Sequence, residues 1–304
     1  MADDVFAQGA GTAVGLVAFG LGQATLSNMF SELRRQRIVP RQVYLVDNGM
    51  NCQLDEIAGD ACIIDAGYNA GFAKGANLAA EQAWSDGYQR MLLLNFDVEF
   101  LRSSAVSRLE EALESSVDCA FVSPIVVFAS DKGRVWYRGG RLWRPSWITT
   151  HPGMGSPYLG TDEMKITDYF SGCCVLLDLA VFQSLGGFNE RLFMYYEEPE
   201  LCARARMVAK HAAVLDLGLV AHRKSGRKLD ELEAFQLARN ARMLCNEYER
   251  GWRRLLGRLL QWLVVPAQLF RCSNRSAAAA YVRGVSGLGE ESIDRAVAAR
   301  IKGS

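Results

Sequence analysis

The chain has 304 residues, half of them hydrophobic, with 34 basic and 34 acidic side chains and a formal net charge of zero. A chain of this length buries a full core by itself, and the charge balance argues against nucleic acid as a partner, because phosphate-backbone binding leaves a basic excess over a domain. The eight cysteines show no CxxC pair and no regular spacing, which argues against a structural zinc site or a disulfide framework and for reduced, buried thiols. No charged n-region followed by an apolar h-region opens the chain, and no apolar run has the length to span a bilayer, so the expectation is a cytoplasmic protein.

Residues 1–12 are polar and glycine-rich and read as a loose tail. Ala13 to Phe19 is a first apolar strand; Leu26, Met29, Phe30 and Leu33 then follow at helical spacing, and Val43 to Val46 is a second strand. A strand, helix, strand unit predicts a parallel sheet. Val46 runs into Asp47-Asn48-Gly49, which places a carboxylate, an amide and a turn glycine just past a strand end. A third strand, Cys62 to Ile64, leads into the glycine-bearing turn Asn69 to Asn77 and a helix to about Trp84. The first N–H groups of such a helix lack intrahelical partners and suit an anion or a polar base edge. The run Met91-Leu92-Leu93-Leu94 reads as a buried strand that delivers Asn95 and Asp97 to the carboxyl edge of the sheet, where open α/β sheets bind ligands. Each strand end alone reads as a cap or a turn; Asp47, Asn69 and Asp97 in series point to a site.

Val135 to Gly155 is an aromatic, glycine-rich connector, readable as a loop that closes over a ligand or as a set of packing anchors. A strand from Thr167 to Leu177 follows, then Tyr195-Tyr196-Glu197-Glu198-Pro199-Glu200 at a helix start, where Pro199 fits the first helical position and biases Glu198 to extended backbone. The three glutamates would also be favourable merely as first-turn acids against the helix dipole. Asp230 to Glu249 reads as a helix. From Arg250 to Arg283 there are seven arginines and no acidic residue around an apolar, tryptophan-bearing run, with Pro266 expected to end or kink the helix and Ala277 to Ile301 a weaker helical tail. This segment reads as a membrane-surface element or as a helix packed on the domain or a second subunit.

Three stretches, Val46-Asp47-Asn48-Gly49, Asn69-x-Gly71-Phe72-Ala73-x-Gly75-x-Asn77 and Leu94-Asn95-Phe96-Asp97, together resemble the nucleotide-sugar half of a family 2 glycosyltransferase of the GT-A fold. Asp168-Tyr169-Phe170-Ser171-Gly172, Gly186-Gly187-Phe188-Asn189-Glu190 and Tyr195-Tyr196-Glu197-Glu198-Pro199-Glu200-Leu201-Cys202-x-Arg204 are similar to its acceptor-side motifs. The resemblance covers roughly residues 14–226 and implies a Rossmann-like α/β sheet, mixed but mostly parallel and flanked by helices. The domain would span 13–228, with a nucleotide-sugar half at 13–100 and an acceptor half at 101–228, followed by a helical extension at 229–304.

The roles that the resemblance implies are specific. Asp47, Asn48, Asn69, Gly71, Phe72, Lys74, Asn77, Asn95 and Asp97 would line the nucleotide-sugar site. Asp97 would bind a divalent metal, manganese or magnesium, and His222 is placed as a second ligand, the alternative being a histidine hydrogen-bonded at a strand end. Glu198 would be the base, with Glu197 second, because adjacent carboxylates raise each other's pKa; Gly172, Tyr196, Glu200 and Arg204 would stand on the acceptor side. The implied reaction is inverting transfer of rhamnose or another hexose from a UDP- or dTDP-sugar to a lipid-linked or growing surface polysaccharide. The closest look is to bacterial rhamnosyltransferases of O-antigen or cell-wall assembly, peripheral on the inner face of the membrane and able to form a homodimer. Three departures stand out: Ala18-Phe19-Gly20 replaces a Thr-Tyr-Asn type triplet, Asn95-x-Asp97 replaces Asp-x-Asp, and Pro199 interrupts the base motif. The rival readings are a non-catalytic scaffold that binds nucleotide sugar or glycan and a nucleotidyltransferase, the latter disfavoured because Gly9 to Gly22 contains no Lys or Arg.

Overall fold

The structure is a computed structural model that describes residues 11–49, 59–161, 163–223 and 228–288. Most of the N-terminal tail, Lys224 to Gly226 and the end of the C-terminal tail lie outside the described residues.

The first half builds a parallel sheet. Strand β1 (Thr12–Ala18) begins inside the expected tail, and α1 (Gln23–Arg35), β2 (Val43–Asp47), β3 (Cys62–Asp65), α2 (Gly71–Ser85) and β4 (Arg90–Leu94) follow. All pairs in the order β3-β2-β1-β4 are parallel. Helix α1 buries Leu26, Met29, Phe30 and Leu33, the residues whose spacing marked it. Helix α2 buries a face of small residues, among them Ala73, Gly75, Ala76 and Ala79. That face lets it lie close on β1: a Cβ at Gly75 would come within 2.7 Å of Val17 Cγ1.

The second half extends the same sheet in mixed fashion through β5 (Val98–Phe100), α3 (Ala105–Glu114), β6 (Cys119–Phe128), β7 (Asp131–Tyr137), β8 (Arg141–Trp143), β9 (Ile148–Thr150), β10 (Met164–Thr167), β11 (Cys174–Asp178), α4 (Leu179–Ser184), α5 (Glu197–Met207) and β12 (His211–His222). The main path runs β10-β12-β6-β11-β4-β1-β2-β3, while β8 and β9 form a separate hairpin. The single strand expected from Thr167 to Leu177 is two. β10 pairs with β12, whereas β11 pairs with β4 and β6, so the chain must leave the sheet at Asp168 to change neighbours. The connector is likewise largely ordered structure: Tyr137 and Trp147 are fully buried in it.

Three helices close the described chain: α6 (Glu231–Tyr248), α7 (Gly251–Leu269) and α8 (Arg275–Ser286). Asp230 and Glu233 form a capping box on α6, each side chain accepting from the other's backbone N–H. Ala241, Leu244 and Cys245 of α6 join the main core, so this helix is built into the sheet's packing. Helix α8 crosses α6 closely enough that a Cβ at Gly284 would meet the Phe235 carbonyl at 2.7 Å. Pro266 lies inside α7, which continues to Leu269. Near the last turn a proline forfeits only one backbone bond, so the helix runs on past it.

Candidate active site

The polar strand ends converge, but several are braces. Asn48, at the end of β2, donates from Nδ2 to Asn69 Oδ1 at 3.1 Å and to the Gly71 carbonyl at 3.3 Å, and its Oδ1 accepts from Ala70 N–H at 2.8 Å. Asn69 Oδ1 also accepts from Gly71 N–H, and Phe72 N–H donates to the Phe193 carbonyl at 2.7 Å. The amino end of α2, expected to offer unpaired N–H groups to an anion, therefore has its entry groups taken by Asn48, Asn69 and Phe193. Gly71 has φ +83° and no room for a side chain, since a Cβ would lie 2.5 Å from that Phe193 oxygen. Asn77 is buried and grips Phe188 through both backbone groups, at 2.9 and 2.8 Å. It joins the two halves. Asp47 accepts from Gly49 N–H at 3.1 Å, and Lys74 stands 3.8 Å from Glu190 and over the Tyr68 ring.

Asp97 and His222 meet. Antiparallel pairing of β5 with the end of β12 aligns Val98 with His222, and Asp97 Oδ2 lies 3.3 Å from His222 Nε2. The imidazole stacks on Trp136 with ring centroids 4.3 Å apart and 17° between planes, which fixes its orientation. Two cis donors of an octahedral cation bound at about 2.1 Å are separated by roughly 3 Å, so this oxygen and nitrogen pair fits a hard or borderline divalent ion. Among the described residues no cluster of three or more His, Cys, Asp and Glu stands together. Asp97 and His222 thus make a candidate pair of donors among the described residues.

The base candidates follow a strained loop. Phe193, Tyr195 and Tyr196 have φ of +49°, +69° and +77°, a left-handed conformation that costs a non-glycine residue about 1 kcal/mol or more each. Asn240 of α6, completely buried, holds this loop from beneath: its Nδ2 donates to the carbonyls of Leu192, Met194 and Tyr195 at 2.9, 2.9 and 2.8 Å. Tyr195 OH donates to Glu233 at 3.0 Å. Tyr196 is buried and hydrogen-bonds Thr149, with its hydroxyl pushed up to about 12 by burial. Helix α5 begins at Glu197, so Pro199 is its third residue and Glu198 is helical, where an extended backbone was expected. The first-turn N–H groups have no partners to lose, which makes proline tolerable there.

Glu197 is 2% exposed, whereas Glu198 is half-buried and its Oε1 accepts from Gly172 N–H at 2.9 Å. A Cβ at Gly172 would stand 2.5 Å from that oxygen. Burial holds both carboxyls above the ordinary range, and the Glu198 charge raises Glu197 further. Asn95 N–H donates to the Cys173 carbonyl at 2.9 Å, so two successive residues, Gly172 and Cys173, tie the end of β4 to Glu198. Glu200 and Arg204 have a different occupation. Their bidentate pair, at 2.8 and 2.6 Å, is buried at the carboxylate end, and Arg204 donates onward to the Leu185 and Gly187 carbonyls. They fasten the Gly186-Gly187 turn.

An aromatic wall runs from the Asp97–His222 pair toward Glu198, and its central residue is not among those singled out from the sequence. His151 lies 5.9 Å from the Trp136 ring and 6.0 Å from that of Tyr169. Burial and the Arg271 charge lower His151 to about 4, which leaves it neutral at neutral pH. One of only three histidines, set in an aromatic connector, was the available signal.

No protein-family model matches the sequence. Over 170 residues the chain is 28% identical to the low-salt glycan biosynthesis hexosyltransferase Agl10 of Haloferax volcanii, a match covering 53% of this chain and 52% of that protein. The chain thus spans about half the length of this relative. Among solved structures, GalNAc-T7 with UDP, GalNAc and Mn2+ superposes with a TM-score of 0.58 at 13% identity, over 77% of this chain and 47% of that one. The mannosyltransferase PcManGT of Pyrobaculum calidifontis, in complex with GDP-Man and Mn2+, gives 0.55 at 12% identity over 95% and 79%. Residues 1–349 of TarS from S. aureus give 0.51 at 10% identity over 92% and 73%. These likenesses show the fold.

Proposed function

From the premise that the chain has the GT-A fold of glycosyltransferases, we propose that it transfers a hexose from a nucleotide sugar to a hydroxyl of a glycan, with inversion. One observation carries the reading: the Asp97–His222 pair and Glu198 stand at the same sheet end, connected through Asn95, Cys173 and Gly172. The hexosyltransferase name of the relative and the nucleotides and Mn2+ held by two structural neighbours support it.

In this reading Asp97 and His222 hold a manganese or magnesium ion, whose chemistry there is neutralisation of charge on the leaving diphosphate. Asp47, at the end of β2, faces the nucleobase. Glu198 takes the proton from the acceptor hydroxyl, Gly172 holds one of its oxygens in place, and burial raises its basicity toward the working pH. Glu197, the second candidate, is too enclosed to reach an acceptor. The donor is a UDP- or dTDP-sugar, and the acceptor is lipid-linked or a growing surface polysaccharide. The exposed apolar side of α7, with Arg250, Arg253 and Arg254 at its start, supports attachment to a membrane surface. No helix among the described residues is long and apolar enough to cross one.

Calorimetric titration of UDP-glucose, UDP-galactose, UDP-N-acetylglucosamine and dTDP-rhamnose, with manganese and with chelator, tests the reading on wild type and Asp97→Ala. The expected result is metal-dependent binding of one donor that disappears in the variant. If no donor and no free nucleotide binds, the transferase reading fails and a non-catalytic scaffold replaces it.

A further inference from the structure

Behind the aromatic wall, a cleft of about 170 Å³ opens beside the edge strand β10. Its lining includes Arg138, Arg141, Lys165 and a single carboxylate, Asp168, with Pro152 and Ile166 as apolar surface. Tyr169 packs on the Gly140 backbone, where a Cβ would fall 2.2 Å from its ring, and none of Asp97, Glu198 and His222 lines the cleft. The cleft is therefore distinct from the site that holds Asp97 and Glu198.

Arg138 and Arg141 form no ion pair among the described residues, and Arg138 Nε is buried with no hydrogen-bond partner. Lys165 has a solvent-exposed partner in Glu163 at 2.9 Å. Asp168 Oδ2 accepts from Leu142 N–H at 2.9 Å, which fixes the carboxylate as part of the wall. Two arginines in the lining of one cleft make it a candidate receptor for a planar anion, since a guanidinium can bind a carboxylate in bidentate fashion.

We infer that this cleft is a subsite for an acidic sugar, a uronate of the acceptor glycan, with its carboxylate on Arg138 and Arg141. The word acceptor rests on the glycosyltransferase reading; the cleft and its chemistry do not. Several features favour a sugar acid over a bare inorganic anion. Asp168 can accept hydrogen bonds from sugar hydroxyls, which an inorganic anion lacks. Ile166, 73% exposed on the edge strand, and Pro152 offer C–H surface for one face of a pyranose ring. The volume is below the roughly 300–1,000 Å³ of sites for drug-sized ligands and suits a single sugar unit. Next to the cleft, Trp143 is 54% exposed with the Arg141 guanidinium 5.7 Å from its ring. Alternation along β8 puts both on the same outer face, so an adjacent sugar has an aromatic surface to stack on.

The test is a ligand-observed NMR titration of the full chain with methyl β-D-glucuronide, methyl β-D-glucoside and sodium sulfate, repeated on Arg138→Gln and Arg141→Gln. The expected result is saturable glucuronide binding, at least about tenfold weaker for the glucoside and about tenfold weaker in each variant, the scale of losing one charge-assisted bond. Sulfate at equal concentration should not displace the glucuronide. Arg141 is exposed, so its variant remains informative if Arg138→Gln fails to fold. Equal affinity for the glucoside, equal competition by sulfate, or undiminished binding in folded variants overturns the inference. Donor titration of the same samples separates the two readings. Donor binding without glucuronide binding removes the subsite alone; glucuronide binding without donor binding leaves an acidic-sugar cleft on a chain that is not a transferase.

Discussion

Glu197 and Glu198 are neighbours in sequence with different surroundings, and the difference is the ground for proposing Glu198 as the base. Glu198 is half-buried and held by Gly172 N–H, while Glu197 is closed off under the strained loop. Replacing Glu198 with Gln should lower transfer by about 10²–10⁴-fold, the usual share of a general base, with donor affinity unchanged; an active variant would remove Glu198 from the role. Glu197 makes a separate prediction about stability. Burial and the Glu198 charge raise its folded pKa above its unfolded value, so its share of stability is present at pH below about 4.3 and is lost as pH rises toward the folded pKa. Glu197→Gln should therefore raise Tm more at about pH 8 than at about pH 5. An equal shift at both would contradict the assigned burial of its charge.

At the scale of elements, the active geometry depends on how α6 meets the loop before α5. Nothing local favours left-handed backbone at Phe193, Tyr195 and Tyr196; the Asn240 amide, with two protons shared among three carbonyls, holds it there. Asn240→Leu should cost about 1–3 kcal/mol of stability for the buried acceptors left unmade. It should also reduce kcat by roughly tenfold to 100-fold, since displacement of a catalytic group by an ångström can cost about 100-fold. Donor KM should stay near wild type, because Asp47 and Asp97 belong to other elements. Steady-state kinetics with a melting curve checks this, and a loss of stability without any kcat effect would make Asn240 purely structural. This brace is not legible in the sequence, because the partners of Asn240 lie some 45 residues away.

For the whole molecule, the unresolved choice in the sequence was what the basic apolar helix meets. In the structure α7 packs one face on the rest of the chain and leaves another exposed. Gly257, Gln261 and Val265 are buried, and Gln261 donates to the Ser146 and Ala241 carbonyls at 2.7 and 2.9 Å. Trp252, Leu255, Leu259, Leu263 and Phe270 are exposed. With exposed arginines at its start, this outer stripe suits an anionic lipid surface better than a second copy, which would bring like charges together. Replacing Leu255, Leu259 and Leu263 together with Gln should lower binding to phosphatidylglycerol vesicles by on the order of 1,000-fold or more, at about 1.5–3 kcal/mol for each leucine. Turnover of a water-soluble acceptor should not change. Wild-type protein that ignores vesicles and elutes as a dimer would favour the second-subunit reading.

The amino-acid sequence by itself determined the parallel half of the sheet, the apolar face of α1, the placement of Asp47, Asn69 and Asp97 at strand ends and the order of the motifs. These depend on periodicity and turn residues within a few positions of one another, which is what a sequence displays. Only the tertiary structure decided which of those polar residues brace the fold and which are left for the candidate site. Asn48 reaches across 21 residues to Asn69, Asn77 across 111 to Phe188, and His222 stacks on Trp136 from another strand. A buried amide must satisfy its hydrogen bonds wherever the packed chain presents partners. Its role is therefore set by the packing of elements distant in sequence, and for the same reason the strand break at Asp168 and the helical backbone of Glu198 became legible only in the folded chain.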